Sequence, residues 1–346
     1  MFTAAWLDHS RDLLHMVNTF RDQMPRPLIG VGHSMGGCQL ANLSLIHPRL
    51  FETLILVDPV IQRMVSVSGN VGPAYASSRR RDHWPSREEA ARSMLRSKFY
   101  QTWDKRVFDR WIEHGLRELP TRLFPDTKAT PGPLPATVSS DPSSTPNPPK
   151  SKEVTLKTTK HQEVMTFLRP NFAFRPGIDT EPSSHLYSEA HPHAVNRRTH
   201  PDLVLSPAVQ TPFYRGESMM VFRQLPFLRP SVLYIFGSLS FLTQDKTQID
   251  EKMELTGTGP GGSGGAKEGR VANVMVDGAG HLIPMEKVEE SALHLASWVG
   301  KEMRRFWDGE ERTKAEWDGK RGFQRSLLSK RFVDELEGMV PKAAKL

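Results

Sequence analysis

The apolar positions of the first 60 residues predict a strand–helix–strand unit. Residues 6–24 carry apolar side chains at helical spacing and are followed by two prolines, so we expect a helix there. Apolar runs at 28–32 and 53–57 predict two buried strands, and residues 35–46 between them predict a second helix. Because a crossover helix joins parallel strands, this part of the chain indicates a parallel sheet.

The pattern becomes less regular after residue 60 and regular again near residue 230. Residues 87–118 predict helical structure, whereas residues 126–150 are rich in Pro, Ser and Thr and predict a disordered segment. Apolar runs at 231–236 and 271–276 predict two more buried strands. The sequence between these two strands indicates a long loop.

Two further segments complete the pattern. Seven glycines between positions 257 and 269 predict a flexible connection at the end of that loop. Residues 282–305 then carry apolar side chains at helical spacing and predict a final packed helix.

These elements divide the chain into four regions. We expect residues 1–59 and 230–305 to form one α/β core on a parallel sheet, with residues 60–229 inserted into it as a cap. Residues 306–346 are charged and predict a tail that forms a peripheral helix.

Composition and charge exclude several protein classes. The net charge is +7, but basic residues are dispersed among acidic ones and lack nucleic-acid-binding motifs, so we expect no nucleic-acid partner. No apolar run approaches the roughly 18–20 residues that a membrane helix needs, and the N-terminus does not resemble a secretory signal. The single cysteine, Cys38, excludes an intramolecular disulfide and favours a reducing compartment.

A G-x-S-x-G motif, Gly32-His33-Ser34-Met35-Gly36, lies between a predicted strand and a predicted helix. In this context the serine stands on a sharp turn above the sheet, and the glycines let strand and helix approach closely. We therefore expect Ser34 to be a nucleophile and the amide of Met35 to be one oxyanion donor. We expect His33 to pack beneath the turn.

His281 follows the last predicted strand in the sequence Gly278-Ala-Gly-His281, and we expect it to be the general base. The other histidines of the middle region have no spacing typical of a metal site, so we expect neither a metal nor a cofactor. These histidines are His185, His191, His193 and His200.

The acid that orients the base has three candidates. The usual place is the loop after the third predicted strand, but Ser240 occupies the expected position there, and Asp245 and Asp250 lie further along. Asp58 ends the second strand, and the carboxyl ends of parallel strands share one edge of a sheet. We prefer Asp58, with Asp245 or Asp250 as alternatives, and the order Ser–Asp–His is that of α/β-hydrolases.

The chain ends in Ala344-Lys345-Leu346, a variant of the Ser-Lys-Leu peroxisomal address. The sequence therefore predicts recognition by the peroxisomal import receptor and a location in the peroxisomal matrix.

Together these segments resemble the fungal peroxisomal α/β-hydrolases, a family with acyl-CoA thioesterases, toxin-cluster hydrolases and a yeast lipase. The matching stretches are residues 6–14, 32–37, 47–51, 56–60, 158–162, 167–172, 231–237, 278–281 and 344–346. The resemblance implies an α/β-hydrolase fold and an acid taken from the strand after the nucleophile strand, which favours Asp58. It also implies hydrolysis of an ester or an acyl-CoA thioester in lipid or secondary metabolism.

The sequence departs from this family at its start. The usual fold has four strands before the nucleophile strand, so roughly 100 residues and one oxyanion donor are missing from the pattern. We therefore expect an N-terminally truncated sheet with the nucleophile strand as an open edge, from a shortened product or an incomplete gene model. The alternative function is a degenerate, non-catalytic hydrolase that only binds.

Overall fold

A computed structural model describes residues 5–63, 68–125, 152–170, 187–188, 191–195 and 213–340. The predicted disordered segment at 126–150 lies outside these residues. The chain forms two compact units, Met1–Leu295 and Ala296–Leu346.

The strand–helix–strand prediction at the start of the chain is confirmed. The elements are helix α1 (Trp6–Thr19), strand β1 (Ile29–His33), helix α2 (Met35–Ile46) and strand β2 (Thr53–Val57). Helix α1 ends five residues before the expected position, because the N–H of Gln23 bonds to the carbonyl of Phe20 in a tighter turn.

The rest of the chain alternates short strands and helices. The strands are β3 (His83–Trp84), β4 (Leu116–Glu118), β5 (Val154–Leu156), β6 (Arg169–Pro170), β7 (Tyr187–Ser188), β8 (His191–Val195), β9 (Phe213–Tyr214), β10 (Ser231–Gly237) and β11 (Val271–Val276). The helices are α3 (Ser68–Arg79), α4 (Arg87–Met94), α5 (Lys98–Gln101), α6 (Lys105–His114), α7 (Lys160–Phe167), α8 (Glu217–Gln224), α9 (Lys246–Leu255), α10 (Ile283–Glu286), α11 (Val288–Asp318) and α12 (Lys330–Met339).

The main sheet of the described residues has the order β1-β2-β10-β11, and all its strands are parallel. Strands β2 and β10 are buried along their whole length, as continuous apolar runs predict. Strand β1 lies at one edge, with Val31 53% exposed, which agrees with the expected open edge. The parallel sheet agrees with the α/β class that the sequence predicts, and it brings the carboxyl ends of its four strands together.

The largest apolar core surrounds this sheet. Leu54 and Tyr234 from the central strands pack in one cluster with Leu43 from α2. Val221 and Leu225, from α8 and the turn after it, belong to the same cluster. The last part of the inserted region thus shares the core of the sheet.

A second, smaller apolar cluster lies within the inserted region. It surrounds the antiparallel sheet β3-β5-β4 and includes Trp84, Phe108, Leu116 and Val154. This region has its own packing centre, as a cap needs.

The helical structure predicted over residues 87–118 is confirmed up to residue 114, but it is divided into three helices and followed by a strand. The chain forms α4, α5 and α6 there, and residues 116–118 are strand β4. Ser97 and Asp104 each accept a backbone N–H, from Phe99 and Arg106 respectively, and so start new helices. These N-caps interrupt an apolar pattern that by itself resembles one long helix.

The predicted long loop between β10 and β11 contains helix α9, which the sequence analysis missed. The carboxylate of Asp245 caps it by accepting the N–H of Thr247. The glycine-rich stretch after it also differs from the expected flexible connection, because it is hydrogen-bonded to the turn after α8. Gly257 donates to the carbonyl of Leu225 at 2.9 Å, and Gly259 donates to that of Pro226 at 2.8 Å.

Most of the described part of the unit Ala296–Leu346 is helical, as predicted for the tail. Helix α11 runs without a break from the segment predicted to end near residue 305 into the tail as far as Asp318, and α12 is exposed along its length. The tripeptide Ala344-Lys345-Leu346 lies outside the described residues. Within the part of the chain that the structure describes, no helix has the length and apolar character needed to cross a bilayer.

Candidate active site

Ser34 stands on the turn between β1 and α2, in a conformation that few residues adopt. Its φ is +55°, in a region that costs on the order of 1–3 kcal/mol for a residue with a side chain. Two backbone hydrogen bonds hold it there. Its N–H donates to the carbonyl of Val57 at 2.9 Å, and its carbonyl accepts the N–H of Val60 at 3.0 Å. The nucleophile turn is thus fastened to the end of the neighbouring strand.

The glycines of this turn differ in how closely neighbouring atoms approach the place where a Cβ would stand. A Cβ on Gly32 would lie 2.7 Å from the backbone of Gly36, so this glycine lets strand and helix approach, as expected. A Cβ on Gly36 would meet nothing within 4 Å, whereas one on Gly37 would lie 2.8 Å from Pro59. The expectation that both motif glycines permit a close approach is therefore wrong for Gly36. Gly37, just after the motif, has that role instead.

This difference gives a stability prediction. We expect Gly32→Ala to lower the free energy of unfolding by about 1–3 kcal/mol, since the new methyl group meets backbone that cannot move freely. Gly36→Ala adds a methyl group in open space within a helix and leaves stability unchanged or slightly higher. Chemical denaturation of both variants tests this. Equal losses of stability in the two variants would contradict the conclusion that Gly32, and not Gly36, lies against neighbouring backbone.

His281 follows β11 and reaches the serine. Its Nε2 lies 2.8 Å from Ser34 Oγ. The loop before it is fixed at Gly280, whose N–H donates to a carboxylate oxygen of Glu286 at 2.6 Å. The histidine thus stands where the sequence placed it, at the carboxyl end of the sheet.

Asp58 contacts the other side of the imidazole. Its Oδ2 lies 2.6 Å from His281 Nδ1, and the residue is fully buried just beyond β2 with a φ of +41°. Because a carboxylate only accepts, Nδ1 carries the proton and Nε2 is left to accept from the serine hydroxyl. The alternatives do not make this contact: Asp245 caps α9, and Asp250 is exposed on that helix.

Met35 is the first residue of α2. The N–H groups of the first helical turn have no acceptor within the helix and point toward its N-terminus. The Met35 amide therefore lies at the start of α2, directly after Ser34, and its role as an oxyanion donor stays a prediction.

His33 makes a specific contact beneath the turn. Its Nε2–H donates to the backbone carbonyl of His281 at 2.8 Å, and the two rings are 5.0 Å apart. Burial lowers the pKa of His33, so its neutral form is favoured. This histidine links the nucleophile strand to the loop of the base.

Three more residues interact with Asp58 or His281, and sequence reasoning gave none of them a role. Ser240, after β10, donates to Asp58 Oδ2 at 2.5 Å. The ring of Phe241 lies 5.1 Å from that of His281. Lys252 of α9 is buried, which lowers its pKa to about 8, and it interacts electrostatically with Asp58. Only Ser240 had a signal in the sequence, since it occupies the slot where an acid usually stands.

The four strands of the main sheet each contribute one side chain to this cluster. In sheet order these are Ser34 after β1, Asp58 after β2, Ser240 after β10 and His281 after β11. Hydrogen bonds join these side chains in the order Ser34, His281, Asp58 and Ser240, and all four lie at the carboxyl end of the sheet.

The described residues contain no group of three or more His, Cys, Asp or Glu side chains that could hold a metal ion. His185 and His200 lie outside the described residues, and the side chains of His191 and His193 are not described. Cys38 is fully buried, which raises the pKa of its thiol and keeps it in the neutral form.

Known proteins resemble this chain in sequence and in fold. Type I acyl-CoA thioesterase mpaH of Penicillium brevicompactum is 41% identical over 91% of this chain and 68% of its own length. The abhydrolase domain-containing protein AFT2-1 of Alternaria alternata is 26% identical over 82% of this chain and 87% of its own. The peroxisomal alpha-beta-hydrolase Lpx1 of Saccharomyces cerevisiae shares the fold, with a TM-score of 0.50 and 15% identity over 94% of this chain and 71% of its own. The model of the alpha/beta hydrolase family matches residues 2–292, and the chain belongs to that family.

Proposed function

We propose that the chain is a serine hydrolase that cleaves an ester or an acyl-CoA thioester through an acyl-enzyme. The observation that carries this proposal is the bonded series Ser34–His281–Asp58, with contacts of 2.8 Å and 2.6 Å. A serine hydroxyl is a weak nucleophile, and a neutral imidazole oriented by a buried carboxylate is the arrangement that activates it.

The reaction follows from this geometry. Ser34 Oγ attacks the acyl carbonyl carbon while its proton passes to His281 Nε2, and the Met35 amide donates to the developing oxyanion. The C–S or C–O bond of the tetrahedral intermediate then breaks, and the leaving group takes the proton from His281. Water then attacks the acyl-enzyme in the same way, with His281 taking and returning the proton, and the carboxylic acid product is released. Asp58 stabilises the imidazolium in both halves without taking its proton.

A thioester is the leading substrate class. Relatives named as acyl-CoA thioesterases are about 40% identical over more than nine-tenths of the chain. In this proposal residues 1–59 and 230–305 supply the hydrolase core, and residues 60–229 form a cap that selects the acyl group. The separate apolar cluster of the inserted region supports a cap of this kind.

The decisive experiment uses the purified wild-type chain and two probes. We expect release of free CoA from medium- and long-chain acyl-CoA, measured with a thiol reagent, and covalent labelling of one serine by a fluorophosphonate. Mass spectrometry of the labelled peptide identifies the serine. Absence of labelling under conditions where the chain is folded would favour the degenerate, non-catalytic alternative.

We also propose a peroxisomal location, with Ala344-Lys345-Leu346 read by the import receptor. The terminal carboxylate is part of such an address, so one added residue should abolish it. A fluorescent protein fused ahead of this chain is expected in peroxisomes of a fungal cell, and the same fusion with Leu346 deleted is expected in the cytosol. A peroxisomal signal from both fusions would contradict the assignment of the tripeptide.

A further inference from the structure

Ser240 is the side chain next to Asp58 that the reaction described above does not use. It lies in the turn after β10 and is 1% exposed. Its hydroxyl makes two contacts: it donates to Asp58 Oδ2 at 2.5 Å and accepts the N–H of Leu242 at 3.1 Å. The turn is closed by Thr243, whose hydroxyl lies 2.7 Å from the carbonyl of Gly237 and 2.9 Å from that of Ser240.

The direction of the Ser240 proton is fixed by these neighbours. A hydroxyl has one proton to donate, and the Leu242 N–H is itself a donor, so the proton lies toward the carboxylate. Asp58 Oδ2 therefore accepts from Ser240 and from His281 at once. The second oxygen, Oδ1, is buried without a hydrogen-bond partner among the described residues. Oδ2 of Asp58 thus accepts both side-chain hydrogen bonds, one from Ser240 and one from His281.

We propose that Ser240 is a positioning residue that orients Asp58, so that His281 Nδ1 always faces the same carboxylate oxygen. This inference rests on the proposed hydrolase function, because it assigns a role within the same site. Ser240 acts through Asp58 and touches neither Ser34 nor the reacting atoms.

The role has a consequence for how the rate constants change. Ser240 touches Asp58 and not the reacting atoms, so its loss weakens the orientation of His281 in the steps that move the proton and leaves the contacts with substrate unchanged. His281 acts in both acylation and deacylation, so both steps slow together, and we expect kcat to fall without a change in KM.

The test compares three variants of the full chain with the wild type. We expect Ser240→Ala to lower kcat and kcat/KM for an acyl ester about tenfold each, with KM unchanged. Ser240→Cys, which donates weakly, should lower kcat by a smaller factor. Thr243→Val removes a buried hydroxyl of the same turn that does not touch Asp58, and it should lower the melting temperature without lowering kcat.

The outcomes are distinct. An unchanged kcat in Ser240→Ala, or in Ser240→Cys if the alanine variant does not fold, overturns the inference. So does an equal loss of kcat in Thr243→Val, because loop stability alone would then explain the effect. Failure of the wild type to hydrolyse esters or to label with a fluorophosphonate would instead reject the proposed function.

Discussion

Ser34→Ala is expected to lower kcat for acyl-CoA or p-nitrophenyl ester hydrolysis by about 10⁶-fold. The hydroxyl that forms the acyl-enzyme is absent in this variant, and the Met35 amide and substrate binding can retain only a small residual rate. The measurement is a steady-state assay over several enzyme concentrations, together with fluorophosphonate labelling. The variant should fold normally, because within the described residues the hydroxyl has a single hydrogen-bond partner, His281.

A matched control is available in Ser44→Ala. Ser44 is a buried serine of α2 whose hydroxyl bonds to the carbonyl of Leu40 in the same helix, away from the hydrogen-bond series. It should leave the rate and the labelling unchanged. A Ser34→Ala protein that hydrolyses esters at the wild-type rate would reject the acyl-enzyme mechanism outright.

Asp58→Asn is expected to lower kcat on the order of 10⁴-fold, with the fold retained. Oδ2 of Asp58 accepts from both Ser240 and His281, so an amide oxygen at that position keeps both hydrogen bonds. The amide is neutral, however, and no longer stabilises the imidazolium that forms when His281 takes the proton from Ser34. An amide turned the other way would present its NH₂ to Nδ1 and leave the imidazole proton on Nε2, so either orientation lowers the rate.

The alternative carboxylates supply the controls for this variant. Asp245→Asn affects the cap of α9 and is expected to change stability by roughly 1 kcal/mol with little effect on kcat. Asp250→Asn alters an exposed position and should change neither. A large loss of rate in either control, with Asp58→Asn near wild type, would assign the acid elsewhere.

The sheet was predictable because its strands have an unambiguous physical signature. A strand buried on both faces in a parallel sheet reads as a continuous apolar run, and β2 and β10 are such runs. The positions of Ser34, Asp58 and His281 follow from the same rule, since each lies just beyond a strand end. The choice between Asp58, Asp245 and Asp250 needed the structure, because the distance between two residues along the chain does not give their distance in space.

The helix boundaries that the sequence did not predict depend on local hydrogen bonds. The cap at Asp104 divides a helix-like pattern, and the cap at Asp245 starts α9, a helix with few apolar positions. The role of Ser240 was hidden for another reason. A serine in a turn has many uses, and only the contact with a carboxylate 182 positions away distinguishes this one.

The order in which the chain is synthesised sets when the site can work. Ser34 and Asp58 are only 24 residues apart. The backbone hydrogen bonds of Ser34 with Val57 and Val60 also join residues of the first 60 positions. His281 lies 223 positions after Asp58 and completes the hydrogen-bond series last. At roughly 5–20 residues per second, a ribosome needs roughly 10–45 s to reach it. Until then no base stands beside Ser34, so the proposed acyl-enzyme chemistry cannot begin before β11 and the loop after it have been synthesised.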